Sequence, residues 1–191
     1  TRVMYENDPA QFLLWYYKRF VKYRNAKPNS VHKWLSNKNL ITQNIDGLDG
    51  KAGNMTYIPI HGRLDKVTKY IKQGETTPAI DAPWDEIVSL GFNHKENPKD
   101  EHLLVEALLS FFKIEKQKDG RYEPKINNSL KPFVLLFDEF YTDLYRFNEA
   151  QRRMLLADKM VFMGTSFSVN ITAMALEVAI SKGIEIEIVD P

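Results

Sequence analysis

Hydrophobic and polar residues recur along the chain in two periodicities, which predict helices alternating with short strands. Apolar and aromatic residues follow helical spacing from Phe12 to about Tyr23. Asp8-Pro9 precedes them, and aspartate is a good N-cap while proline fits a first helical turn. We therefore predict a long first helix that begins there, and a second that begins at Pro28-Asn29-Ser30. Further helices are predicted over residues 83–90, 101–112, 148–157 and 171–181, the last ending at Gly183 as a C-terminal cap.

Short apolar runs between these helices predict strands. Leu40 and Ile41 form the first buried run, and period-2 alternation marks the last. PFVLLF is continuously apolar, which is typical of a parallel strand covered on both faces, and KMVFM is predicted as another buried strand. Strands that alternate with helices predict an α/β fold with a doubly wound parallel sheet. The predicted runs lie at residues 37–44, 57–60, 132–137, 159–163 and 184–189.

Residues 64–130 differ from the rest, because polar and charged residues become more frequent there. We predict that they form a small, mostly helical inserted subdomain, with Leu104, Leu108 and Phe111 on one helix face and an exposed loop or hairpin at 116–128. Residues 1–63 and 131–191 then form the main domain. We expect that domain to continue beyond both ends of this chain.

Composition excludes several classes of function. The 191 residues carry a formal net charge of +1, so no global field attracts nucleic acid. The apolar runs fall far short of the roughly 20 residues that span a bilayer. The chain has no cysteine, which excludes disulfides, thiolate metal sites and a cysteine nucleophile. We expect a cytoplasmic protein, with a nuclear location as the alternative.

Polar or small residues stand directly after four of the predicted strands, where parallel sheets bind ligands. Gln43, Asn44 and Asp46 offer amides and a carboxylate for a carboxamide or ribose hydroxyls, although Asn-x-Asp-Gly can equally be a turn with side-chain caps. His61 is a candidate general base, and a structural histidine is the alternative. The other two ends are Gly164-Thr165-Ser166, which suits a phosphate or a simple helix cap, and Asp190, which resembles an acid that holds a ribose diol.

The three remaining histidines are not predicted to bind ligands. His32 is expected to be structural, while His94 and His102 are expected to be solvated. No two histidines lie at a spacing typical of metal ligands, so we predict no metal site.

Taken together, these segments resemble the sirtuin family, in the family's own order. ITQNIDGLDGKAG (41–53) is close to the family's TQNIDGLHxxAG, and Ile60-His61-Gly62 resembles its catalytic L-H-G. Residues 131–139 and 157–169 are similar to its P-x-V-V-x-F-G-E and AD-x-x-x-x-x-GTSLxV segments. AKPNSVH (26–32) is similar to its A-x-P-N-x-x-H. The matches cover most of the chain outside residues 64–130.

The resemblance implies a Rossmann-like fold and an NAD-dependent protein-lysine deacylase, which cleaves the nicotinamide–ribose bond and transfers the acyl group to ADP-ribose. It implies that Gln43 holds the nicotinamide ribose, that Asn44 and Asp46 line the nicotinamide pocket, and that His61 is the general base. Gly164, Thr165, Ser166 and Asp190 would contact the adenosine side of NAD. The implied partner is an acyl-lysine protein or peptide, bound along Phe137, Asp138 and Glu139.

The chain departs from the family at four points. The glycine-rich loop and the P-D-F-R motif are not present, and we expect them upstream of Thr1. The zinc cysteines are absent, so no zinc is expected, and residues 64–130 stand in place of the zinc module. Asp138 replaces the glycine of F-G-E, where its carboxylate would face the peptide groove. Asp49 replaces a histidine, and no function is predicted for it.

Two alternatives to deacylation remain at this point. One is an NAD hydrolase or ADP-ribosyltransferase of the same fold, in which water or another nucleophile replaces the acyl-lysine. The other is a non-catalytic sensor that binds NAD or ADP-ribose.

Overall fold

The computed structural model describes residues 1–93, 95 and 97–190 of the chain. The chain divides between Tyr145 and Arg146 into two compact units. His94, which the sequence predicts to be solvated, lies outside the described residues.

The first unit opens with three helices, α1 (Arg2–Asn7), α2 (Pro9–Tyr23) and α3 (Ser30–Trp34). The predicted cap at Asp8 and the predicted start of a second helix at Pro28-Asn29-Ser30 are confirmed. The Asp8 carboxylate accepts from the N–H of Gln11 at 3.1 Å, and the Asn29 side chain accepts from the N–H of His32 at 3.1 Å. Such caps satisfy N–H groups that have no partner within the helix.

Two short parallel strands follow. They are β1 (Ile41–Thr42) and β2 (Ile58–Pro59), with Ile41 opposite Ile58 and the helix α4 (Leu48–Lys51) between them in sequence. Parallel pairing requires a crossover rather than a tight turn. It brings the carboxyl ends of β1 and β2 to the same edge.

The rest of the first unit contains antiparallel strands and two helices. These are β3 (Gly62–Lys69), β4 (Ile80–Asp81), α5 (Trp84–Ser89), α6 (Pro98–Phe111), β5 (Glu115–Lys116), β6 (Tyr122–Glu123) and β7 (Leu130–Val134). The hairpin β5–β6 lies within the stretch predicted as a loop or hairpin. The segment 64–130 thus combines two helices with antiparallel strands, and its limits as a subdomain stay a prediction.

The apolar run PFVLLF was predicted as a parallel strand, and that prediction was wrong about direction. Its strand β7 is buried, but it pairs antiparallel with β3, with Gly62 opposite Val134 and Lys69 opposite Leu130. A continuous apolar run reports that both faces of a strand are covered. It carries no information about the direction of the neighbouring strand.

One hydrophobic core joins α2 to α5 and α6. Leu104 and Leu108 are fully buried as predicted, whereas Phe111 is 38% exposed and Phe112 is buried in its place. Helix α6 ends at Phe111, so Phe112 no longer follows the helical spacing. Its ring packs against that of Trp84, with ring centroids 4.9 Å apart. The Trp84 indole N–H donates to the Leu64 carbonyl at 2.7 Å, which satisfies the buried polar end of that side chain.

The second unit is a helix followed by a strand–helix–strand motif. It comprises α7 (Phe147–Leu156), β8 (Lys159–Met163), α8 (Asn170–Lys182) and β9 (Glu185–Val189), and β8 pairs with β9 in parallel. Gly183 ends α8 in the left-handed conformation, as predicted. Strand β8 was predicted to be buried, but Val161 and Met163 on one face are 43% and 37% exposed, and Phe162 on the other face is buried.

Candidate functional site

Two predicted site residues meet where β1 and β2 end. Gln43 follows Thr42 of β1, and His61 follows Ile60, whose N–H donates to the Thr42 carbonyl at 3.0 Å. The backbone of Gln43 forms a hydrogen bond with the His61 imidazole. The first candidate strand end and the candidate base therefore lie side by side, as parallel pairing of their strands requires.

The His61 imidazole is partly buried between polar partners. Burial lowers the pKa of His61 below its usual value, and the hydrogen bond to the Gln43 backbone opposes that shift only in part. On its other side, Nε2 lies 2.8 Å from the Tyr141 hydroxyl, and the two rings stack with centroids 5.8 Å apart. The imidazole is thus neutral near pH 7 and able to accept a proton.

Gly62 holds His61 against strand β7. Its φ is +83°, and a Cβ built there would lie 1.9 Å from the Phe133 carbonyl oxygen. The His61 carbonyl accepts from the Leu135 N–H at 3.0 Å in the same close approach. Only glycine fits this backbone, which explains chemically why Gly62 follows the candidate base.

Asn44 and Asp46 lie on the exposed turn that leads from β1 to α4. The Asn44 N–H donates to the Thr42 hydroxyl at 3.2 Å, and the Asp46 carboxylate accepts from the Leu48 N–H at 2.9 Å. The turn with side-chain caps, which the sequence left open, is therefore present. The Asn44 side chain and the Asp46 carboxylate are exposed, and their roles in ligand binding stay predictions.

Asp49 stabilises this turn from its buried side, a role that the sequence did not predict. Its side chain is buried, and burial raises the pKa of its carboxyl, while nearby His32 and a hydrogen bond from the Thr42 hydroxyl oppose the shift. Thr42 thus bridges the Asp49 carboxylate and the Asn44 N–H. Thr42 and Asp49 lie seven positions apart in the sequence, and no sequence motif indicates that they are in contact.

The three residues predicted to bind the acyl-lysine peptide have different environments. Phe137 is fully exposed to solvent. The Asp138 carboxylate accepts from the N–H groups of Arg2 and Val3 at 2.6 and 3.0 Å, at the start of α1. Glu139 is buried in an ion pair with Lys131 at 2.7 Å. Peptide binding along this segment stays a prediction, since two of the three side chains already have partners.

The remaining predicted residues belong to the second unit. Gly164 ends β8 with φ +58°, and its N–H donates to the Val189 carbonyl at 2.9 Å. The Thr165 hydroxyl accepts from the Phe167 N–H at 3.4 Å, and the exposed Ser166 hydroxyl lies 2.7 Å from that of Ser168. Asp190 is exposed directly after β9. Within residues 146–190, no side chain caps the N-terminus of α8.

The described residues lack two further features. No group of three histidine, cysteine or acidic side chains that could hold a metal ion occurs among residues 1–93, 95 and 97–190. In that same part of the chain, no helix has the length and apolar character needed to cross a membrane.

Comparison with known proteins identifies the family. The Sir2 family model matches residues 2–171. NAD-dependent deacetylase sir2E of Dictyostelium discoideum is 33% identical over 188 residues, which cover 90% of this chain and 50% of that protein. An NAD-dependent protein deacylase of Bacteroides thetaiotaomicron is 26% identical over 199 residues, covering 98% and 68%.

A solved structure gives the same result at the level of the fold. A mutant Sir2 homologue in complex with ADP-ribose superposes with a TM-score of 0.63 at 25% identity, covering 95% of this chain and 62% of that one. The chain spans about half the length of the Dictyostelium relative. The likeness confirms the predicted Rossmann-like α/β fold, and the match over residues 2–171 shows that the chain belongs to the Sir2 family.

Proposed function

We propose that the protein is an NAD-dependent protein-lysine deacylase that transfers the acyl group of the lysine to ADP-ribose. The observation that carries the proposal is the parallel pairing of β1 with β2, which places Gln43 beside His61. It joins an amide-rich turn to a neutral base at one edge of a parallel strand pair. The names of the relatives support the same activity.

The chemistry of the exposed side chains fits NAD. Gln43 is partly exposed, and Asn44 and Asp46 are exposed, so two amides and a carboxylate are available to a carboxamide and to ribose hydroxyls. We assign Gln43 to the nicotinamide ribose, and Asn44 and Asp46 to the nicotinamide pocket. NAD supplies the nicotinamide–ribose bond whose cleavage drives the reaction.

His61 serves as the general base in this proposal. Because burial lowers its pKa, the imidazole is unprotonated near neutral pH and can take a proton from a ribose hydroxyl. Gly164, Thr165, Ser166 and Asp190 are assigned to the adenosine side. Support comes from the open space around Gly164 and from backbone N–H groups at the uncapped start of α8.

NAD hydrolysis is the second candidate, and the environment of Asp138 and Glu139 favours it. Both carboxylates already have partners, in α1 and at Lys131. A peptide that used these side chains would have to displace contacts within the protein. A site that cannot seat the peptide would leave water as the nucleophile.

Nicotinamide release by the full-length protein distinguishes these functions. NAD is supplied with and without an acetyl-lysine peptide. Release that requires the peptide supports deacylation, release without it supports hydrolysis or ADP-ribosyl transfer, and binding without release indicates a sensor. His61→Ala is expected to lower release by about 10²- to 10⁴-fold.

His102→Ala is the matched control, because it removes an imidazole that is 75% exposed on α6 beside Glu106. It is expected to leave nicotinamide release unchanged. Full activity in His61→Ala would show that the site is assigned to the wrong residues.

A further inference from the structure

The Tyr141 side chain contacts the candidate base through both of its chemical features. Its hydroxyl lies 2.8 Å from Nε2 of His61, and its ring stacks on the imidazole at an interplanar angle of 26°. Tyr141 follows the segment 137–139 and lies 80 positions from His61 in the sequence. The hydrogen bond restricts the direction of Nε2 within the ring plane, and the stacking restricts rotation of the imidazole out of that plane.

The partners of His61 determine which ring nitrogen carries the proton. A backbone carbonyl can only accept, so the ring nitrogen that faces Gln43 must be an N–H. Nε2 is the nitrogen that faces Tyr141, which leaves Nδ1 for Gln43. In the neutral ring one nitrogen donates and the other accepts. Nε2 is therefore the acceptor, and the Tyr141 hydroxyl donates to it.

We propose that Tyr141 orients His61 and connects it to the substrate: its hydroxyl donates to the unprotonated Nε2, and its ring stacks on the imidazole. This inference rests on the proposed function, because it assumes that His61 is the general base. The Gln43 carbonyl selects the tautomer, and Tyr141 fixes the orientation. A substrate hydroxyl reaches that lone pair through Tyr141: it gives its proton to the Tyr141 oxygen while the Tyr141 hydroxyl gives its own proton to Nε2, so the second transfer follows a hydrogen bond that is already in place.

Two variants separate the contributions of the hydroxyl and the ring. Tyr141→Phe removes the hydroxyl and keeps the stacking, while Tyr141→Leu removes both. Tyr23→Phe is the control, since Tyr23 is 50% exposed at the end of α2. The first readout is the ¹⁵N NMR spectrum of the histidine side chains in the full-length protein. In the wild type, His61 is expected as the Nδ1–H tautomer with an Nε2 that accepts a hydrogen bond.

In Tyr141→Phe, the Nε2 resonance is expected to move toward the value of a free acceptor, and in Tyr23→Phe it is expected to stay. The second readout is kcat for nicotinamide release. It should fall about 2- to 10-fold in Tyr141→Phe, as one neutral hydrogen bond allows, and further in Tyr141→Leu, while KM for NAD stays within about twofold.

The two readouts distinguish failure of this inference from failure of the proposed function. If the wild type releases no nicotinamide, the proposed function fails, and the resonance still decides whether Tyr141 holds Nε2. If the wild type is active, either an unmoved Nε2 resonance or an unchanged kcat in Tyr141→Phe overturns the inference.

Discussion

Replacement of Gly62 by alanine is expected to be the most damaging single methyl addition in the first unit. Two costs combine at this position. The first is the left-handed backbone, φ +83°, which costs a residue with a Cβ about 1–2 kcal/mol. The second is the collision of the new Cβ with the Phe133 carbonyl oxygen at 1.9 Å.

The new Cβ is fixed to the β3 backbone and meets a backbone atom of β7, so no side-chain rotation relieves the collision. Strands β3 and β7 must therefore separate by more than 1 Å to restore ordinary van der Waals contact. The separation breaks the hydrogen bond from the Leu135 N–H to the His61 carbonyl, worth about 1 kcal/mol. It also forces local repacking, which costs about 1–3 kcal/mol. The expected total is about 3–6 kcal/mol.

Gly120→Ala is the matched control. Gly120 has nearly the same φ, +87°, but no atom lies within 4 Å of the position that its Cβ would take. This variant carries the conformational cost alone. The difference of about 2–4 kcal/mol between the two variants then measures the collision.

Urea unfolding followed by tryptophan fluorescence measures this difference. Trp15, Trp34 and Trp84 are the three tryptophans of the sequence, and all lie in the first unit. The signal therefore reports that unit, and an m-value of about 1–3 kcal/mol per molar converts the midpoint shift. Equal destabilisation by Gly62→Ala and Gly120→Ala would refute the argument from close approach.

Three further predictions concern charge and polarity. Because burial lowers the pKa of His61, the unfolded chain binds its proton first, so the contribution of a neutral His61 to stability is lost as pH falls below about 6.5. The unfolding free energy of the wild type should therefore fall more than that of His61→Gln between pH 7 and 5, and parallel curves would contradict this. Lys131→Met should cost about 3–5 kcal/mol because it leaves the buried Glu139 carboxylate without its lysine, and Lys131→Met with Glu139→Leu should recover much of that loss in a denaturant titration. Asn44→Ala should abolish nicotinamide release without lowering the urea midpoint, since the Asn44 side chain is exposed; a large loss of stability would instead indicate a structural role.

Local chemistry made much of the fold predictable. Asp8-Pro9 and Gly183 mark helix ends through caps that depend on a few neighbouring residues, and both appear where the sequence places them. The alternation of strands and helices likewise predicts the parallel pairs β1–β2 and β8–β9. These features depend on contacts that are close in sequence or on a pattern that repeats.

Features that depend on distant partners were not predictable. The direction of β7 depends on β3, which is more than 60 residues away in sequence, and the burial of Phe112 rather than Phe111 depends on where α6 ends. Within the candidate site, the motifs identify His61 and the turn at Gln43. Tyr141 contacts His61 across 80 residues, and its aromatic side chain is equally consistent with ordinary packing.

The shared core of α2, α5 and α6 has a consequence for protein engineering. Leu13, Trp84 and Leu108 are buried in one cluster, although they come from three separate parts of the chain. A chimera that transplanted residues 64–130 into another Sir2 protein would therefore lack the part of this core that α2 supplies. The graft would stay folded only if the recipient's first long helix offered a matching apolar surface.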